Sequence, residues 1–222
     1  MFIRYRIKFT KEGPLRFIGH LDTLALFQRV IRIVKLPIGY SNGFNPHPKT
    51  LFAVPLSLGI ASTSEFLDIG LTEEVSIEAI MKMNEYLPEG LNVTAARKLK
   101  EHEKDASKET RAASYELTLA EPIKDMSLQD GCSKGYPLIS VLEKSEILVE
   151  KKSKKNTKIV NIKPLIHSFS LKENILKLTL ATGENNLNPK LVSEYLNISG
   201  VKYLRYDILK EKEGKLVSLW EE

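Results

Sequence analysis

Polar and apolar residues alternate through Arg4-Tyr5-Arg6-Ile7-Lys8-Phe9, the two-residue period of a strand with one face on a core. Arg4, Arg6 and Lys8 share the other face, which is expected to point outward and to be strongly positive. After the turn Gly13-Pro14 the period lengthens, and Leu21, Leu24, Phe27, Ile31 and Val34 share one face of a helix over 21–34. Asp22 falls in its first turn and Arg29, Arg32 and Lys35 near its C-terminal end, the signs that the helix dipole favours. Pro37, Gly39, Gly43, Pro46 and Pro48 then exclude regular structure until about Lys49, so a long loop of specific shape follows. Strands are predicted over 51–58 and 65–71, and a helix over 76–86 with Ser76 as its N-cap. Pro88-Glu89-Gly90 stops that helix, and 91–99 reads as a strand. The resulting order, β-α-β-β-α-β, is the ferredoxin-like split arrangement.

From Lys100 to Glu109 the composition turns to Lys, Glu, Asp and Ser, which marks a linker or exposed connection over 100–112. Beyond it the pattern predicts a strand over 113–120 and a short helix at 137–142, then a hairpin of 146–151 with 158–162. Strands over 165–170 and 175–180, a helix over 189–196 and a last strand over 203–209 complete the chain. The expected fold class is α+β: two tandem ferredoxin-like halves, residues 1–99 and 113–222, the second with an inserted hairpin. No low-complexity tract and no repeat of about 20–50 residues interrupts this organisation.

At 222 residues, 42% hydrophobic and 27% charged, the chain has material for a sizeable core. No apolar run approaches the roughly 18 residues of a membrane span, and the N-terminus alternates where a signal peptide would be apolar. One cysteine, Cys132, among four scattered histidines makes no internal disulfide and no zinc or iron–sulfur spacing. The expectation is a cytoplasmic protein with no membrane association and no metal or cofactor of its own. The net charge of +5 is unevenly spread: residues 1–50 hold nine basic and two acidic side chains. A second basic run, Lys151 to Lys158, holds five lysines and no acid. Clustered cations suit polyanions through counterion release, although a lysine-rich hairpin tip is also an ordinary solvated loop.

The densest cluster of chemical groups is Tyr40-Ser41-Asn42-Gly43-Phe44-Asn45-Pro46-His47-Pro48-Lys49. Asn42-Gly43 tolerates positive φ and the prolines stiffen the backbone. Tyr40 or Phe44 can stack on a base while Asn45, His47 and Lys49 reach phosphate or sugar; an ordered crossover that satisfies its own polar groups is the alternative. A second cluster, Arg16-Phe17-Ile18-Gly19-His20-Leu21-Asp22, sits at the mouth of the first helix. A histidine beside a helix N-terminus is biased toward neutrality, as a base or a metal ligand requires, and Asp22 is close enough to fix its tautomer. His20, Asp22 and His47 are therefore the catalytic candidates, for metal-assisted or metal-free RNA cleavage, if a loop of this length folds back along the helix. A first-turn acid that balances the helix dipole is the plainer role for Asp22. Asp68 is expected to be solvated on its strand, and His102, Asp105 and Cys132 to be exposed without chemistry. Asn188 and Pro189 cap and open the last helix. Phosphate-loop, dinucleotide, zinc-protease, nucleophile-elbow and iron–sulfur signatures do not occur.

These residues resemble the radical-SAM-linked protein family, a bacterial domain of unknown function encoded beside or fused to a radical-SAM protein. The resemblance lies in Arg4-Tyr5-Arg6, Gly13 to Asp22, Tyr40 to Lys49 and Glu65-Phe66-Leu67-Asp68, and more loosely in Ala181-Thr182-Gly183 through Pro189 and Leu191. It implies a bacterial cytoplasmic protein whose partner is a radical-SAM enzyme, the iron–sulfur cluster and S-adenosylmethionine being held by that partner alone. The family has no established catalytic residues to transfer. The expected function is an accessory that binds structured RNA, tRNA or ribosomal RNA, through Arg4, Arg6, Lys8, Arg16, Tyr40, Phe44, Asn45, His47 and Lys49, and presents it to that enzyme. The alternatives are an RNA-modifying or RNA-cleaving enzyme centred on His20 and His47, and a protein-interaction adaptor without RNA affinity.

Overall fold

The computed structural model describes residues 2–120, 137–152 and 157–221; Cys132 and the centre of the lysine run, 153–156, lie outside the described residues. The chain divides into two compact units, Met1–Arg111 with Arg205–Glu222, and Ala112–Leu204. The fold is mixed α+β with two similarly arranged β-α-β-β-α-β-like regions. The first runs β1 (Ile3–Lys11), α1 (His20–Ile33), β2 (Thr50–Phe52), β3 (Ile60–Leu71), α2 (Ile77–Met81) and β4 (Leu91–Lys98), followed by the short α3 (Ala106–Glu109). The second runs β5 (Thr110–Thr118), α4 (Pro137–Glu143), the hairpin β6 (Leu148–Lys152) and β7 (Thr157–Asn161), β8 (Ile166–Lys172), β9 (Ile175–Ala181) and α5 (Pro189–Tyr195). It leads into β10 (Lys202–Lys212), which continues into the first unit and turns back as β11 (Lys215–Ser218).

In the first unit β1 lies between β3 and β4 and is antiparallel to both. The short β2 pairs with the C-terminal part of β3, from Thr50 opposite Ile69 to Phe52 opposite Leu67. Beside the remainder of β3 runs β10, where the Ser62 hydroxyl donates to the Arg205 carbonyl at 3.0 Å. Alternation turns Tyr5, Ile7 and Phe9 of β1 and Leu67, Ile69 and Leu71 of β3 onto Phe27, Val30 and Ile31 of α1 and Ile80 of α2, and this is the main core. The Phe9 and Phe27 rings meet edge to face, 4.7 Å between centroids. Leu21, expected on the buried face of α1, is 76% exposed. The inward positions of that first turn belong to the half-buried His20 and the buried Thr23. The strand expected over 51–58 stops at Phe52, three residues before Pro55, which has no N–H to give a ladder. The helix expected over 76–86 tightens after Met81 into a 3₁₀ turn, Lys82–Glu85.

The face of β1 expected to point outward is covered. Arg6 is fully buried, and Asp68, expected in solvent, is 5% exposed. The Arg6 guanidinium donates to both Asp68 oxygens at 2.8 and 3.0 Å, to Glu109 at 3.1 Å and to the Lys104 carbonyl at 2.9 Å. Residues 100–109, whose composition suggests a linker, supply most of these partners, and the Ala106 N–H donates to Asp68 at 2.6 Å. A second apolar cluster closes the same unit, formed by Ala53, Val54, Phe66, Ala106, Ile208 and Leu219, with Trp220 stacked 6.1 Å from Phe66. The C-terminal residues thus cover sheet that the alternation of β1 assigns to water.

The second unit has β9 between β5 and β8, antiparallel to each, and Leu117, Leu176, Leu178, Leu180 and Val192 are buried. The β6–β7 pair forms its own two-stranded sheet, from Leu148 opposite Asn161. Asn188 caps α5 by accepting from the Lys190 N–H at 3.0 Å, with Pro189 at the first helical position. Among the described residues no helix is long and apolar enough to cross a membrane.

Candidate functional site

The side chains of greatest chemical interest meet in a small recess at the mouth of α1, lined by Phe9, Lys11, His20, Thr23, Phe52, Val54, Leu56 and Glu65. Lys11 continues the inward phase of Tyr5, Ile7 and Phe9, and Glu65 that of Leu71, Ile69 and Leu67, so both are carried onto the core side of the sheet. Lys11 is 3% exposed and its ammonium donates to the Ile18 carbonyl at 2.8 Å. Burial, reinforced by the Arg205 charge, lowers its pKa against the opposing pull of Glu65 and Asp22. Glu65 accepts from Arg205 at both carboxylate oxygens, 2.7 and 2.5 Å. The His20 ring stands edge-on to Phe52, 5.1 Å between centroids, and burial and then the Lys11 charge lower its pKa, with Glu65 opposing. A neutral imidazole thus faces a desolvated amine in a largely apolar pocket, an arrangement suited to moving a proton at near-neutral pH.

The loop after α1 is tied at its base. The Gly39 N–H donates to the Gly70 carbonyl, the Gly70 N–H to the Lys49 carbonyl and the Lys49 N–H to the Gly39 carbonyl, Tyr40 bridges Pro48, and Ser41 and His47 are linked through the Ser41 N–H to the His47 carbonyl and the His47 N–H to the Ser41 hydroxyl. Gly43 has φ of 122°, a conformation that favours glycine, and so turns the tip. Above this base Tyr40, Asn45, His47 and Lys49 are exposed, and the Phe44 ring is wholly in solvent at 111% of its reference area. The Lys49 ammonium lies 5.7 Å from the centre of the Phe2 ring.

Gly39 is beside Gly70 and Phe52 beside Leu67, so about 10 Å of strand separates the loop's base from the ring that His20 touches. Among the described residues no group of three or more His, Cys, Asp or Glu side chains gathers as a metal site. Asp22 is exposed in the first turn of α1. Of the basic residues named from sequence, Arg6 is committed to its buried ion pairs, and Arg4 is half-buried on Asp105 at 3.0 Å and on the Glu103 carbonyl. Lys8 is half-buried with its ammonium 5.9 Å from the Phe66 ring, and Arg16 lies 4.8 Å over Phe17. Lys11, Glu65 and Arg205 were not among the sequence candidates. The strand phase places the first two inward, while the 140-residue separation of Glu65 and Arg205 leaves no local signal for their pair.

A comparison with curated proteins finds no match. A family model does match, described as uncharacterized protein conserved in bacteria (DUF2344), over residues 4–189. That span takes in β1, both clusters at the ends of α1, residues 100–163 and the start of α5. The chain therefore belongs to this bacterial DUF2344 family.

Proposed function

We propose that the protein is an RNA-binding accessory whose contact surface is the 40–49 loop together with the exposed side of α1. The observation that carries this reading is the uncovered Phe44 ring at the tip of a loop whose base is tightly hydrogen-bonded. An exposed aromatic on a rigid support is a stacking platform for an unpaired base, at roughly 1–3 kcal/mol per base. Arg29, Arg32, Lys35 and Lys49 are exposed, the first two one helical turn apart on α1 and the third where that helix leads into the loop. No acidic residue occurs between Asp22 and Glu65, so this stretch of chain carries only positive charge. Its cations suit phosphates, and the arginines and lysines named here take the place of the buried Arg6.

The resemblance of the motifs supports a radical-SAM enzyme as the protein to which the RNA is presented, with the cluster and S-adenosylmethionine in that partner. The antiparallel β4-β1-β3 order, with β2 on the far side of β3, supports tandem ferredoxin-like halves as the scaffold. A second reading, favoured by the half-buried His20 beside the desolvated Lys11, has the chain itself act on RNA with His20 as proton acceptor; the recess is too small for a nucleotide, so the RNA would lie across its mouth.

The test is equilibrium binding to a bacterial tRNA pool at several salt concentrations. Phe44→Ala is expected to weaken binding about fivefold or more, the loss of one stacked base. Replacing Arg29, Arg32 and Lys49 by Gln is expected to lower the salt slope by about one for each phosphate contact removed. Unchanged affinity and slope in both variants overturn the reading, and altered RNA in the same samples selects the enzymatic one.

A further inference from the structure

We propose that Lys11 is a carbonyl-trapping amine, whose Nζ condenses with a small aldehyde in the recess at the mouth of α1 while His20 accepts and returns the proton. A lysine this deeply buried ordinarily meets a carboxylate, because an unpaired ammonium in an apolar site is costly. Lys11 has no ion pair among the described residues, and the carboxylate nearest in the recess, Glu65, is occupied at both oxygens by Arg205. Its one hydrogen bond, to the Ile18 carbonyl, fixes the amine and leaves the rest of its donor capacity without a partner among those residues. Four of the other lining side chains are Phe9, Phe52, Val54 and Leu56, and the neighbouring cation Arg205 further disfavours a second positive charge. A desolvated lysine beside another cation is the environment in which an amine becomes a nucleophile. The groups facing Lys11 are His20 and Asp22 from α1, Glu65 from β3 and Arg205 from β10; burial outweighs the two carboxylates and lowers its pKa.

The free space is water-sized, which admits a one-carbon carbonyl at most and no nucleotide. In the reaction the Nζ lone pair forms a bond to the carbonyl carbon, one Nζ proton passes to the His20 imidazole, and the imidazolium hands it to the former carbonyl oxygen to give the neutral carbinolamine. A proton from solvent then joins that hydroxyl, the C–O bond breaks, water leaves and the protonated imine remains. No electron transfer is involved. This inference rests on the recess alone and stands apart from the RNA reading.

The experiment is limited reductive methylation of the full chain with formaldehyde and cyanoborohydride at neutral pH, which traps the imine as a methylamine, followed by residue-level mapping by mass spectrometry. Lys11 is expected to react severalfold faster than the exposed Lys35 and Lys82, since a lowered pKa leaves more of the amine free at neutral pH. His20→Gln is expected to slow Lys11 severalfold and to leave Lys35 unchanged, circular dichroism confirming the fold. Labelling of Lys11 no faster than of Lys35, or only after unfolding, overturns the proposal. So does a His20→Gln protein that folds and labels Lys11 at the original rate.

Discussion

Arg6 is a permanent charge on a strand whose two faces are both covered, and its guanidinium is held by Asp68, Glu109 and the Lys104 carbonyl. Removing one member of such a buried pair strands the other, which costs about 3–5 kcal/mol, whereas replacing both with apolar groups is close to neutral. Measured by urea unfolding, Arg6→Met is therefore expected to lower the unfolding free energy by about that amount, and Arg6→Met with Asp68→Leu to recover only part of it, since Glu109, the Lys104 carbonyl and the Ala106 N–H then lose these partners. A loss in Arg6→Met no larger than that of an exposed substitution such as Lys35→Met contradicts the assignment. At this scale the alternation of β1 and β3 is legible in the sequence, and it correctly separates Tyr5, Ile7 and Phe9 from Arg4, Arg6 and Lys8. What alternation does not carry is the identity of the cover over each face. Arg6 and Lys11 lie on opposite faces of β1 and are both buried, because Asp68 waits on one side and the Ile18 carbonyl on the other.

The segment between β4 and β5 shows the same difficulty at the level of an element. Its Lys, Glu, Asp and Ser composition resembles a solvated linker, yet Glu103, Asp105 and Glu109 are the counter-ions of Arg97, Arg4 and Arg6. Those pairs are made with strands up to about a hundred positions away in the chain, a distance over which composition says nothing. The hairpin β6–β7 and the cap of α5 depend on neighbours in sequence, and both are legible there, while β11 is missed although it too closes a local hairpin, with β10 across Glu213-Gly214. The docking of the segment is expected to depend on pH through Glu103. Burial pushes the Glu103 carboxyl up, but hydrogen bonds from Arg97 and the Lys100 N–H and the charges of Arg97 and Arg6 outweigh it and hold the pKa at about 2, below its ordinary 4.5. A carboxyl depressed on folding stabilises the folded state above its ordinary value and loses that contribution as the pH falls through the depressed one. Pepsin cleavage beside the buried Leu99 is therefore expected to rise steeply as the pH falls from about 4.5 to about 2. Glu103→Gln is expected to be cut more readily at the upper end and to show a shallower rise; an unchanged profile sinks the attribution to this carboxylate.

On the scale of the whole molecule, the first unit is assembled from two separated parts of the chain. Residues 1–111 contribute β1 to β4 and both clusters at the ends of α1, and Arg205–Glu222 contribute β11 and the part of β10 that runs beside β3. The return segment delivers Arg205 to Glu65, and Ile208, Leu219 and Trp220 to the apolar cluster around Phe66. A chain ending at Arg111 keeps every motif of the candidate site but leaves Glu65 buried without its cation and the Phe66 face uncovered. The first loss alone costs about 3–5 kcal/mol, a large part of the roughly 5–15 kcal/mol that holds a domain folded. The fragment 1–111 is therefore expected to aggregate or to lack near-ultraviolet circular dichroism, and co-expression with 112–222 is expected to restore a folded complex on size exclusion. The Lys11 recess depends on the same return segment, because without Arg205 the Glu65 carboxylate is free to pair with the Lys11 ammonium. If fragment 1–111 folds alone with native dichroism, the C-terminal segment is dispensable and Arg205 does not hold Glu65 away from Lys11.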